Sequence, residues 1–169
     1  MNKKLPGLLG DSSMTLRTDP RTDPRMLEGL ASVRLDVPGD VPEVSLETSM
    51  EQLYEYALGV ENFFQLVNRN LFSDLPSVDG VDSRVEKING PDGNEITLYI
   101  HQPKNMEGPL PCVYHTHGGG MVILSAKGDN FVHWRSDLAA SGLVVVGVEF
   151  RNGAGRLGNH PFPAGLNDC

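Results

Sequence analysis

Leu110–Gly120 reads LPCVYHTHGGG: an apolar run, two histidines and three glycines in a row. The run has strand character, and the glycines fall where the chain has to turn. Outward from this turn, DNFVHWRSDLAASG (Asp129–Gly142) places Val132, Leu138 and Ala139 on an apolar helical face and stops at Gly142. LVVVGVEF (Leu143–Phe150) is apolar without alternation, as a strand covered on both faces would be. Strand, helix and strand in this order predict a βαβ unit with parallel neighbouring strands, hence an α/β fold.

Further outward, SRVEKI, the turn NGPDGNE and ITLYIHQ predict a hairpin over 83–102. His101 closes it and reads as a surface residue. Cys112, inside the apolar run, reads as a small buried hydrophobe. Leu46, Met50, Leu53, Ala57, Val60, Phe64, Val67 and Leu71 recur at helical spacing from Ser45, with Glu47, Glu51, Glu55 and Glu61 on the opposite face. Gly59 is a candidate bend, and the methionine and aromatics of this helix read as core. RTDPRTDPR (Arg17–Arg25) is a tandem repeat. Asp23-Pro24 is a helix start, and the arginines and aspartates read as a self-paired surface. VPGDVPEV (Val37–Val44) reads as a proline-broken linker.

The 169 residues carry 22 acidic and 14 basic side chains, a formal charge of -8, which argues against nucleic acid and anionic membranes as partners. No apolar run approaches the roughly 20 residues of a membrane helix, and Met1–Ser13 makes a poor secretory leader, so a cytoplasmic location is expected.

Three glycines after a strand have several readings. No Gly-x-Gly-x-x-Gly and no Lys-Ser/Thr follow, which weakens a phosphate cradle. His115 and His117 are a pair without a third ligand nearby, so no metal and no cofactor are expected. A plain structural turn is always open to glycine. The fourth reading is an oxyanion hole, where bare backbone N–H groups stand about 3 Å from the oxygen that gains charge during acyl transfer.

HTHGGGM (115–121) with VEFRNGAGRLGNHPFPAGLNDC (148–169) resembles the hormone-sensitive-lipase-like esterases. RTDPR and DGNEITLYIHQP (92–103) point to the branch that includes brefeldin A esterase. The resemblance covers 17–169, with Phe150 where Tyr is usual and NGAGRLGN (152–159) in place of Leu-Ala-Pro-Glu. It implies the N-terminal part of an α/β-hydrolase fold, a mixed, mostly parallel sheet. Residues 1–72 would be a helical lid or cap segment and 73–169 the first half of the core. It further implies that Gly119 and Gly120 donate oxyanion N–H groups, Gly118 permits the tight path, His117 shapes the turn, and Met121 walls the substrate pocket. The implied activity is carboxylic-ester hydrolysis through a serine nucleophile, on a small-molecule ester.

No Gly-x-Ser-x-Gly occurs. GDSSM (Gly10–Met14) lacks the last glycine, and His133 and His160 precede the place of a catalytic histidine in that fold. The expectation is therefore a chain that supplies the oxyanion hole but not the triad and is inactive alone. Its partner would be a missing C-terminal half or a further copy. The alternative expectation is a non-catalytic hydrolase fragment that serves as a binding module.

Overall fold

The computed structural model describes residues 7–40, 42 and 44–169. Residues 1–6, on which the leader reading largely rests, and Val41 and Glu43 of the expected linker lie outside the described residues.

The chain divides into two compact units, Met1–Leu46 and Glu47–Cys169. In the first, Asp23 caps helix α1 (Pro24–Ser32): its carboxylate accepts from Arg25 N, and Pro24 takes the first helical position. The repeat is largely self-paired, as expected, through Asp19 with Arg21 and Asp23 with Arg25. Arg17 departs from the repeat and pairs with the buried Asp36.

The second unit opens with helix α2 (Met50–Phe72). It begins later than its apolar periodicity suggests, because Ser49 and Gln52 form a reciprocal cap. Ser49 Oγ accepts from Gln52 N at 3.3 Å, and Gln52 Oε1 accepts from Ser49 N at 3.2 Å. Gly59 does not split the helix, which runs unbroken. The expected apolar face is only partly core: Met50 is 59% and Phe64 39% exposed, whereas Glu61, expected on the solvent face, is 1% exposed.

A four-stranded sheet follows. Strands β1 (Val81–Asn89) and β2 (Glu95–Pro103) form the expected hairpin. Strand β3 (Cys112–Thr116) leads through the glycine turn to helix α3 (Asp129–Ala140), strand β4 (Val144–Glu149) and the short helix α4 (Ala164–Asp168). The order is β1-β2-β4-β3; β2–β4 is antiparallel and β3–β4 parallel, so the βαβ expectation holds and the sheet is mixed. Among the described residues no helix is long and apolar enough to cross a membrane.

β4 lies inside the sheet with Val145 and Val148 fully buried; β3 lies at its edge. That edge position corrects the reading of Cys112 as a buried hydrophobe: Cys112 is exposed rather than packed, and Tyr114 is 50% exposed. The register puts Ile96, Leu98, Ile100, Val146 and Val148 on one face, with Ile96, Val148 and Phe150 forming a buried cluster. The opposite face carries Tyr99, His101, Gly147, Glu149 and His115. His101, read as a surface residue, is 4% exposed because this face lies beneath α3.

Burial predicts two contrasting outcomes. Ile96→Ala is expected to lower unfolding free energy by about 2–5 kcal/mol through lost contacts and a residual cavity. Cys112→Ala is expected to stay within about 0.5 kcal/mol, since Cys112 is exposed. Urea unfolding of the two variants beside the parent chain checks both.

Candidate functional site

The turn after β3 is built from consecutive left-handed residues. Gly119 has φ +116°, Gly120 φ +65° and Met121 φ +58°, and Leu124 follows at φ +76°. Glycine tolerates this region; Met121 and Leu124 occupy it at a steric cost. The tightest position is Gly119 rather than Gly118. A Cβ on Gly119 would stand 2.1 Å from the Ile123 carbonyl oxygen, whereas one on Gly118 would make an ordinary 3.8 Å contact with Phe131. A Cβ on Gly120 would meet nothing within 4 Å.

Hydrogen bonds to two carbonyls set the direction of the turn's peptide planes. His117 Nδ1–H donates to the Gly118 carbonyl at 2.8 Å. The Gly119 carbonyl accepts from Val122 N at 3.1 Å and Ile123 N at 3.2 Å. In a planar trans peptide the N–H points opposite the preceding C=O. Holding the Gly118 carbonyl therefore aims the Gly119 N–H, and holding the Gly119 carbonyl aims the Gly120 N–H. Among the described residues neither N–H is taken by a protein acceptor.

His117 is itself wedged. Its ring stacks on Phe150 at 4.1 Å between centroids and 7° between planes. Its Nε2 stands 3.7 Å from Glu149 Oε1, but burial holds its pKa below the ordinary histidine value. With Nδ1 donating to Gly118, the neutral ring leaves Nε2 without a donor, so this contact is not an ion pair at neutral pH.

The loop after the glycines is anchored by polar groups the sequence reading did not single out. Met121 O accepts from Gly153 N and Val122 O from Ala154 N, both at 2.9 Å. These bonds join the turn to the glycine-rich loop after β4. Buried Asn152 donates through Nδ2 to Leu124 O at 2.6 Å. Glu149 accepts from Ser125 Oγ at 2.7 Å and Ala126 N at 2.9 Å. Glu61 reaches in from α2 to Leu124 N at 3.1 Å and Arg156 N at 2.8 Å. The signal for Glu149 was a lone carboxylate ending an apolar strand. Nothing in the spacing of α2 marked Glu61. Met121, the expected pocket wall, is 37% exposed.

Arg135 of α3 completes the support. It is fully buried above Gly147, where a Cβ would lie 2.9 Å from its guanidinium. It donates to Ala126 O at 2.7 Å and faces Nδ1 of His101 and of His115, each at 3.4 Å. Nδ1 can accept only from an unprotonated ring edge, so both histidines serve this cation neutral. This explains the His115/His117 pair: one faces Arg135 and the other the Gly118 carbonyl. Among the described residues no three His, Cys, Asp or Glu side chains gather as a metal site.

Brefeldin A esterase, described as a bacterial homologue of human hormone-sensitive lipase, matches 99% of this chain at 43% identity, with a TM-score of 0.89. The chain matches the N-terminal portion of hormone-sensitive-lipase-like esterases. It spans 46% of brefeldin A esterase. The esterase Est22 matches 91% of the chain at 31% identity and TM-score 0.71, and the chain spans 46% of it. Among curated proteins, tuliposide A-converting enzyme b1 of Tulipa gesneriana is 31% identical over 97 residues, 56% of this chain and 25% of that enzyme. No protein-family model matches. The expected family resemblance and α/β-hydrolase fold are thus both found, over about half the length of the matched esterase structures.

The three histidines predict an acid-labile unit. Burial, then Arg135 and His117, pushes His115 down to about 4 from the ordinary 6.5. Burial and Arg135 also lower His101, and burial lowers His117. The unfolded chain therefore binds more protons between these values, so stability rises with pH across that window. The contribution is complete above about pH 6.5 and is lost progressively as pH falls toward about 4. Urea midpoints should drop between about pH 7.5 and pH 5, and His115→Gln should flatten that drop.

Proposed function

We propose that these residues form the oxyanion-stabilising half of a carboxylic-ester hydrolase. The observation that carries this reading is the pair of N–H groups on Gly119 and Gly120, untaken by any acceptor among the described residues, on peptides whose carbonyls, those of Gly118 and Gly119, are hydrogen-bonded. Similarity to esterases over nearly the whole chain supports it.

In the proposed reaction a base takes the serine O–H proton as the serine oxygen adds to the ester carbonyl carbon, and the C=O π pair moves onto oxygen. The two glycine N–H groups accept no proton and transfer none; they stabilise the anion by hydrogen bonding before and as it forms. Collapse of the intermediate re-forms C=O and expels the alcohol, which leaves with a proton from the base. Water then repeats the sequence on the acyl-serine. The 169 residues contain no Gly-x-Ser-x-Gly, so the serine, acid and histidine are proposed to come from outside them.

His117 contributes by fixing the Gly118 carbonyl, and Phe150 by holding that ring flat. Phe150 in the usual place of Tyr retains the stacking surface and removes the hydroxyl. Met121 follows the two N–H groups directly and is proposed to border the acyl group. The substrate is proposed to be a small ester.

Gly120 offers the cleaner test: a Cβ at Gly119 collides with the Ile123 carbonyl, whereas one at Gly120 meets no atom within 4 Å and carries only the strain of its left-handed backbone. In a protein that carries these residues together with its nucleophile, Gly120→Val is expected to lower kcat by about 10²-fold or more. KM should change less, because the interaction strengthens in the transition state. An unaltered kcat would reduce the glycines to a structural turn. The 169-residue chain by itself is expected to give no phosphonate-sensitive hydrolysis of an activated short-chain ester. Turnover abolished by such a reagent would reveal a serine nucleophile within these residues.

A further inference from the structure

We infer that Glu61 of α2 is a positioning residue for the Gly119–Gly120 turn: its buried carboxylate ties together the Leu124 and Arg156 N–H groups and thereby fixes the direction of the oxyanion-facing N–H groups. The inference rests on the oxyanion reading above.

Glu61 is 1% exposed and makes no ion pair among the described residues. A carboxylate in that position is tolerated only where its oxygens are hydrogen-bonded. Here one oxygen accepts from Leu124 N and the other from Arg156 N. The Arg156 guanidinium turns away, donating to Asn62 Oδ1 at 2.7 Å. Backbone amides, rather than a cation, are thus what the carboxylate holds.

Two further features fit this contact. Gly155 has φ +74°, and a Cβ there would stand 2.6 Å from Glu61 Oε2, so the absent side chain leaves room for the carboxylate. One turn earlier on α2, Ala57 packs with Ile123 and Ala154 in a buried cluster. Apolar packing and the carboxylate therefore engage the same two loops from the same helix.

The connection to the turn is short. Leu124 is held at both ends of its residue, its N–H by Glu61 and its carbonyl by Asn152. Ile123 and Val122, immediately before it, donate to the Gly119 carbonyl. Gly153 and Ala154, which donate to the Met121 and Val122 carbonyls, sit just before Arg156 in the loop that Glu61 also holds. Releasing Glu61 would loosen both walls against which the Gly119 peptide is set. A mere fastener of the fold would lower stability; a positioning residue also lowers kcat selectively.

The test uses Glu61→Gln beside Gly120→Val, in a protein that carries these residues with its nucleophile. Glutamine keeps the volume, but its NH2 must face one of the two N–H donors and leave it unpaired. The expected result is a kcat lower by about tenfold or more with KM within about twofold. Inhibition by a boronic acid, which presents a tetrahedral anion, should weaken in step with kcat. A folded Glu61→Gln enzyme with parental kcat, while Gly120→Val is impaired, overturns the positioning role alone. Parental kcat in Gly120→Val overturns the oxyanion reading and this inference with it. Should Glu61→Gln fail to fold, Gly155→Ala presses on the carboxylate from the other side; the same kcat loss supports the inference, and parental kcat overturns it.

Discussion

The bonds from Val122 and Ile123 to the Gly119 carbonyl are the constraint around which the second unit is arranged. A left-handed run of Gly119, Gly120 and Met121 has little intrinsic preference to persist, and Met121 in that region carries a steric cost. It is retained because the carbonyl is taken from behind and the following residues are bonded to a second loop. Planarity then converts occupied carbonyls into aimed N–H groups. The chemistry proposed for the turn follows from this geometry, and no side chain of the turn itself needs to react.

Support for the turn is mostly polar and buried. Glu61, Glu149, Asn152, Arg135 and His117 approach from α2, β4, the loop after β4, α3 and the end of β3. Each offers a carboxylate, guanidinium, amide or imidazole group to backbone that would otherwise be desolvated without a partner. Such groups are costly if one contact is lost, and this cost makes the arrangement specific. Gly147 belongs to the same design: in register opposite Tyr99 and His115, it is the strand position without a side chain, and the Arg135 guanidinium lies over it. The neutral histidines around Arg135 are held that way by burial and by the cation itself.

By sequence alone His101 and Glu61 belong on the surface, because polar residues at strand ends and on the far face of an amphipathic helix are usually solvated. Both are buried against groups distant in the chain: Arg135 for His101, and Leu124 with Arg156 for Glu61. The apolar neighbours of Cys112 suggest a core position, but β3 lies at the edge of the sheet and Cys112 is exposed. The start of α2 turned on a local cap, Ser49 with Gln52, that apolar periodicity does not weigh.

The sequence by itself determined the order of elements, the βαβ unit, the hairpin, the α1 start and the glycine turn with His117 beside it. Each of these is set by local chemistry: period, turn residues, caps and the conformational freedom of glycine. It also carried enough of the HGGG and PFPA patterns to point to its esterase relatives. Only the tertiary structure decided that Gly119 rather than Gly118 is the crowded position, since the obstacle is the Ile123 carbonyl after the chain has folded back. It alone brought Glu61 and Arg135 to the loop after the turn, because those contacts join residues far apart in the chain and depend on how α2 and α3 lie on the second unit. A carboxylate on a helix reads the same whether it faces water or two backbone amides; burial makes the difference, and burial is a property of the fold.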